Sequence, residues 1–139
     1  MRLVALDTNI IVSAGIRPVG VPAKIIMDWV LEGRVQVVIS PWIIDEYRGV
    51  VNREKFRRYG FPPQWLDFLI EGSLCIPDPS PWPHPVPDPK DAPFLALANA
   101  TGAWLVTGNL KHFEESIREG VVVLSPRDYL DYLSGTGRA

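Results

Sequence analysis

The apolar run at residues 3–6 ends abruptly in Asp7, Thr8 and Asn9, and a second apolar run follows at once. A short run rich in Leu and Val reads as a strand buried on both faces, the kind found in parallel sheets. Asp7 then lies at the strand's carboxyl end, the edge where open α/β sheets bind their ligands. A carboxylate held there is desolvated and needs a partner. A cation is one such partner; capping of the next segment is the plainer alternative.

The rest of the chain alternates in the same way. Residues 22–32 read as a helix, with Ile25, Ile26, Trp29 and Val30 at helical spacing and Gly33 ending it. Residues 35–39 make a second apolar strand. Ser40 and Pro41 then supply an N-cap and a first-turn proline. In the helix they open, Ile43, Tyr47, Val50 and Val51 form the apolar stripe. Glu46 falls at its edge, toward the sheet, while Asp45 points away. A salt bridge from Glu46 to Arg48 or Arg53 is the structural alternative. Residues 62–71 read as a further helix and 74–76 as a short strand.

Between residues 77 and 89 every second position is proline. Such a run cannot donate a regular ladder of hydrogen bonds and stays extended and stiff. It reads as a strap inside the domain that lays Asp88 and Asp91 at a fixed place. Trp82 pins the strap to the body, or with His84 touches a substrate. Asp91 heads a helix whose Phe94, Leu97 and Ala98 share a face and which Gly102 ends. First-turn capping is the plain explanation for that aspartate. Residues 104–107 read as a strand with Gly108 and Asn109 at its carboxyl end, 111–117 as a short helix and 121–124 as a last strand. Ser125 and Asp128 have the spacing of a capping box for the final helix. The tail, 135–139, reads as frayed.

Strand and helix in alternation predict an α/β fold: a parallel sheet of four to five strands flanked by helices, in one domain over 1–134. Right-handed crossovers place the first strand centrally, its end beside the end of the strand at 104–107. Asp7, Asn109 and the start of the Asp91 helix then meet at one switch point. No apolar run approaches the roughly 20 residues of a membrane span, and no secretory signal is recognisable. A lone cysteine, Cys75, cannot form an intramolecular disulfide and reads as a small core residue, which fits a cytoplasmic protein. The net charge of −2 argues against broad nonspecific nucleic-acid binding. Residues 48–58 nonetheless gather Arg48, Arg53, Lys55, Arg57 and Arg58 against the single acid Glu54, with Tyr59 and Trp65 nearby. That is either a track for single-stranded nucleic acid or a solvated face.

Asp7, Glu46 and Asp91 come from distant parts of the chain yet converge on one edge. Carboxylates sharing a site raise one another's pKa unless a cation intervenes. Oxygen donors without a Cys or His cluster favour Mg²⁺ or Mn²⁺, and such a site suits phosphodiester hydrolysis. An aspartyl-phosphate site is a rival. Against it, Asn9 stands where a haloacid-dehalogenase phosphatase wants a second aspartate, and no lysine follows a late strand as in receiver domains.

Four segments, ALDTNIIVSA, PWIIDEY, DPKDAPFLALA and LVTGNLKHF, resemble the PIN-domain nucleases, in particular the toxin components of bacterial and archaeal toxin–antitoxin pairs. The resemblance implies a three-layer PIN-like domain. It maps the family's acids to Asp7, Glu46 and Asp91, which would hold Mg²⁺ or Mn²⁺, with Thr8, Asn9 and Asp88 as accessories. A fourth aspartate of many PIN domains is Asn109 here, and an acid often found three positions later is His112. Asn109 could still place metal or water through its carbonyl, without adding charge. The resemblance further implies an endoribonuclease acting on single-stranded RNA, a protein antitoxin and a homodimer, with the basic residues of 48–58 as an RNA track. An acid-depleted domain that holds RNA or a protein without cutting is the alternative.

Overall fold

The computed structural model describes residues 2–135, so residues 136–139 of the tail expected to fray lie outside the described residues. Five parallel strands form one sheet in the order β3-β2-β1-β4-β5, flanked by helices. They are β1 (Arg2–Leu6), β2 (Val35–Ile39), β3 (Leu74–Cys75), β4 (Trp104–Val106) and β5 (Val123–Leu124). The expected central place of β1 is met. Leu6 pairs in register with Val106 of β4, and Val4 with Val37 of β2. Val4, Ala5 and Leu6 are fully buried, which is why this strand has no alternation of polar and apolar residues.

Straight after Asp7 comes a helix that the sequence pattern did not separate, α1 (Thr8–Ile16). It buries Thr8, Ile10, Ile11 and Ala14 and is apolar nearly all round, so no polar stripe marks its period. The helix expected at 22–32 is α2 (Val21–Lys24), continuing as a π-helical stretch, Ile25–Val30. Leu31 N–H bonds to Ile26 C=O and Arg34 N–H to Trp29 C=O, both at 2.8 Å and both one residue wider than α-helical bonds. Next comes α3 (Pro41–Val51), with Ser40 extended before it and Pro41 in its first turn.

Helix α4 (Leu66–Glu71) starts four residues later than expected: Pro63 disfavours helical backbone at Pro62, and a turn closed by Leu66 N–H on Pro63 C=O precedes the helix. β3 is an edge strand with both residues exposed, so Cys75 is a surface thiol and not the core residue its apolar neighbours suggested. Helix α5 (Ala92–Thr101) ends at Gly102, whose φ of 75° is left-handed, and packs on β1, β2 and β4. In place of a helix over 111–117 there are two 3₁₀ turns, Leu110–His112 and Glu115–Ile117. The last strand is shorter than expected because Val121 N–H is taken up by Arg118 C=O in a turn. Helix α6 (Pro126–Leu133) opens with the Ser125 hydroxyl accepting from Asp128 N–H, the expected cap. The strap is pinned as anticipated, by Trp82 Nε1–H donating to Ile117 C=O at 2.9 Å. Among the described residues no single helix is long and apolar enough to cross a membrane.

Candidate active site

Asp7 is the first residue beyond β1. Its N–H continues the ladder to Val106 C=O at 3.0 Å, and its C=O accepts from Ile10 N–H as α1 begins. The side chain does not cap that helix. Instead Oδ2 accepts from the Thr107 hydroxyl at 2.7 Å and from Asn9 Nδ2 at 3.3 Å. Thr107 in turn accepts from Asn109 N–H at 3.0 Å, while Asn9 Oδ1 accepts from Gly108 N–H at 3.2 Å. The turn after β4 is thereby laced to the end of β1. Only 5% of Asp7 is exposed. That burial, aided by the nearby Asp91, pushes its pKa up to about 6 despite the Thr107 bond, which acts the other way.

Asp91 ends the 3₁₀ turn Pro89–Asp91, which Asp88 Oδ1 caps by accepting from Lys90 N–H at 3.0 Å. It does not cap α5 with its side chain. Its Oδ2 lies 3.1 Å from His112 Nδ1, and burial raises its pKa while that imidazole opposes the rise. Glu46 reaches the same place from α3. The helix is docked there by the fully buried Tyr47, whose hydroxyl donates to Leu6 C=O at 2.5 Å. Glu46 is half-buried and Asp45 exposed, as the periodicity required. Among the described residues Glu46 makes no ion pair, so the salt-bridge alternative is not found.

Asp7, Glu46, Asp88, Asp91, Asn109 and His112 line one cleft of about 350 Å³ at the carboxyl edge of the sheet, together with Thr8 and Asn9. The sequence reading had assembled all but His112 as site residues. It did not find Thr107, whose only signal is its place beside Asp7 at the end of the neighbouring strand. It also missed Lys90, which lines the cleft. Of the basic residues, Arg53 lines the cleft and the others do not. Arg48 pairs with Asp67 at 3.5 Å, Lys55 sits over the Phe56 ring, Arg58 donates to the Tyr59 hydroxyl, and Arg57 is exposed.

The donor set suits a hard cation. Thr8 Oγ1 is buried without a hydrogen-bond partner, and the nearby Asp91 disfavours the charge of Asp7. Among the described residues no group of three acids, histidines or cysteines is gathered tightly enough to hold an ion by itself. A Mg²⁺-type ion commonly takes one or two carboxylates, with water and substrate oxygens completing its shell. Asp7 and Asp91 are two carboxylates lining the same cleft, so the residues present fit that need.

The PIN-domain family profile matches residues 3–111, and PIN domains are typically nucleases that use divalent metals. A search of curated proteins finds no match. Among solved structures, VapBC2 from Rickettsia felis bound to a DNA fragment from its promoter is similar with a TM-score of 0.61 at 18% identity. The match covers 88% of this chain and 98% of that one. FitAB bound to an IR36 DNA fragment gives a TM-score of 0.57 at 20% identity, covering 88% and 94%. FitAcB from Neisseria gonorrhoeae gives 0.57 at 19% identity, covering 89% and 98%. At these identities the likeness is one of fold, while the profile spans most of the sequence and includes the Asp7, Glu46 and Asp91 segments. The chain belongs to the PIN-domain family.

Proposed function

We propose that this protein is a Mg²⁺- or Mn²⁺-dependent endoribonuclease that cuts single-stranded RNA, acting as the toxin of a toxin–antitoxin pair. The observation that carries the reading is the convergence of Asp7, Glu46 and Asp91 with Asn109 on one cleft. Asp7 and Asp91 would hold the cation, with Glu46 facing it from α3. A divalent cation supplies Lewis acidity there, activating water and offsetting charge that develops on the phosphoryl oxygens. The remaining work falls to this chain's side chains. Thr107 fixes one oxygen of Asp7 and His112 one oxygen of Asp91, so both carboxylates are oriented before substrate arrives. Asn109 presents an amide at the rim, able to orient water by accepting or donating. The exposed Lys55, Arg57 and Arg58 extend a basic surface beyond Arg53 for the flanking RNA.

The partner reading draws on the neighbours, VapBC2 and FitAB, together with the four motifs. A protein antitoxin, a homodimer and a cytoplasmic setting belong to it. A second reading, an RNA- or protein-binding module with little cleavage, is favoured by the neutral Asn109 where many PIN domains carry an aspartate. One assay separates the two: incubation of unstructured RNA with Mn²⁺, with Mg²⁺ and with chelator, using wild type and Asp7→Asn. Metal-dependent cleavage that is lost in Asp7→Asn supports the nuclease. RNA binding without cleavage in either metal supports the module.

A further inference from the structure

Two basic side chains in the cleft, Arg53 and Lys90, have no partner among the described residues. Glu46, Val50 and Arg53 follow one another at near-helical spacing along α3 and just past its end, so this wall of the cleft carries an acid and then a guanidinium. A second segment lining the same cleft, the one leading into α5, carries Asp88, Lys90 and Asp91. Among the described residues neither the Arg53 nor the Lys90 side chain makes an ion pair or hydrogen bond. The acids beside them are engaged elsewhere: Asp88 with the backbone N–H of Lys90, and Asp91 with His112.

A polynucleotide entering here meets four carboxylates, which repel its phosphates. The repulsion is greatest at the floor, where charge is to be neutralised by metal. The exposed Arg53 and Lys90, from two different segments, bring positive charge to the same cleft. We infer that Arg53 and Lys90 form a two-sided phosphate clamp that grips the RNA backbone at phosphates flanking the one that is cut. The proposal deepens the nuclease reading and rests on it. Arg53 offers a planar fork for two phosphate oxygens and Lys90 a point charge, so the walls are not interchangeable.

The test uses the whole protein and a short, unstructured, fluorescently labelled RNA, with binding measured in chelator across a salt series and cleavage measured separately with Mn²⁺. Arg53→Gln and Lys90→Gln are each expected to lower the slope of log affinity against log salt by about 0.7, and so to weaken binding about fivefold at about 0.1 M salt. The double variant should lose both increments, and Arg53→Lys should retain the slope. Both side chains are exposed, so the variants should melt like wild type in chelator. Wild-type slopes in both single variants, with wild type still cleaving, overturn the clamp alone. A wild type that neither binds nor cuts the RNA overturns the nuclease reading and the clamp with it.

Discussion

Asp7 is held out of water with Asp91 nearby, and its titration follows first from that burial. Its pKa in the fold is about 6, above the unfolded value of 3.8. The protonated form is therefore the one the fold prefers. Its stabilising contribution is complete below pH 3.8 and is lost as pH rises through 6. By neutral pH the loss amounts to about 3 kcal/mol. In chelator, Asp7→Asn should accordingly be more stable than wild type at pH 7 and equal to it near pH 4, with the amide oxygen accepting from Thr107. Parallel melting curves across that range would show that Asp7 is not held out of water. Asn109 gives the complementary case. Asn109→Asp adds an anionic oxygen at the rim, so cleavage should saturate at lower Mn²⁺. The same charge crowds Asp7 and Asp91 when metal is absent, so the chelator-treated variant should melt lower than wild type. Superimposable titrations would place Asn109 outside the metal site. Both aspartates were legible in the sequence, because a polar residue interrupts an apolar run at a strand end or heads an apolar helix. The bond from Thr107 was not, because it joins residues 100 positions apart through strand order and side-chain rotamer.

What aims Glu46 is the element beneath it, and that element is held by one buried hydroxyl. Tyr47 docks α3 against the end of β1 through Leu6 C=O, and burial together with the nearby Asp7 keeps its hydroxyl protonated well past its ordinary range. Tyr47→Phe leaves that carbonyl without the bond and should cost about 1–3 kcal/mol. Because Glu46 precedes Tyr47, cleavage by the folded fraction should fall as well. A variant with wild-type melting would mean that packing alone seats α3, through its contact with Phe94. The stripe that predicted this helix was legible because one face is wet and the other dry. α1 was not separated from the strand before it, since a helix buried on most sides shows no such contrast. The π-helical stretch after α2 was equally hidden, since its apolar spacing reads as ordinary helix.

At the scale of the molecule, the sheet order makes the site. β1 and β4 lie side by side, and that adjacency followed from the alternation of elements and the right-handed crossover rule. How tightly the acids gather was beyond the sequence, because it depends on where the strap and the turn after β4 settle. The consequence is a linkage between metal and fold. Asp7 follows β1 and Asp91 precedes α5, so in the proposed metal site only the folded chain would bring both to one ion, while the unfolded chain offers isolated carboxylates. A cation that binds the native state alone stabilises it by about 2.7 kcal/mol at a hundred times its Kd. For a domain of this size that corresponds to a rise in Tm of roughly 10 °C. The unfolding transition should stay single, since both ligands sit on elements packed against the same central strand. Asp7→Asn should abolish most of the rise while its chelator-treated form remains folded, which separates loss of metal binding from loss of structure. Melting curves of wild type that do not move between chelator and saturating Mn²⁺ would mean that Asp7 and Asp91 do not share a cation, and the nuclease reading would lose its centre.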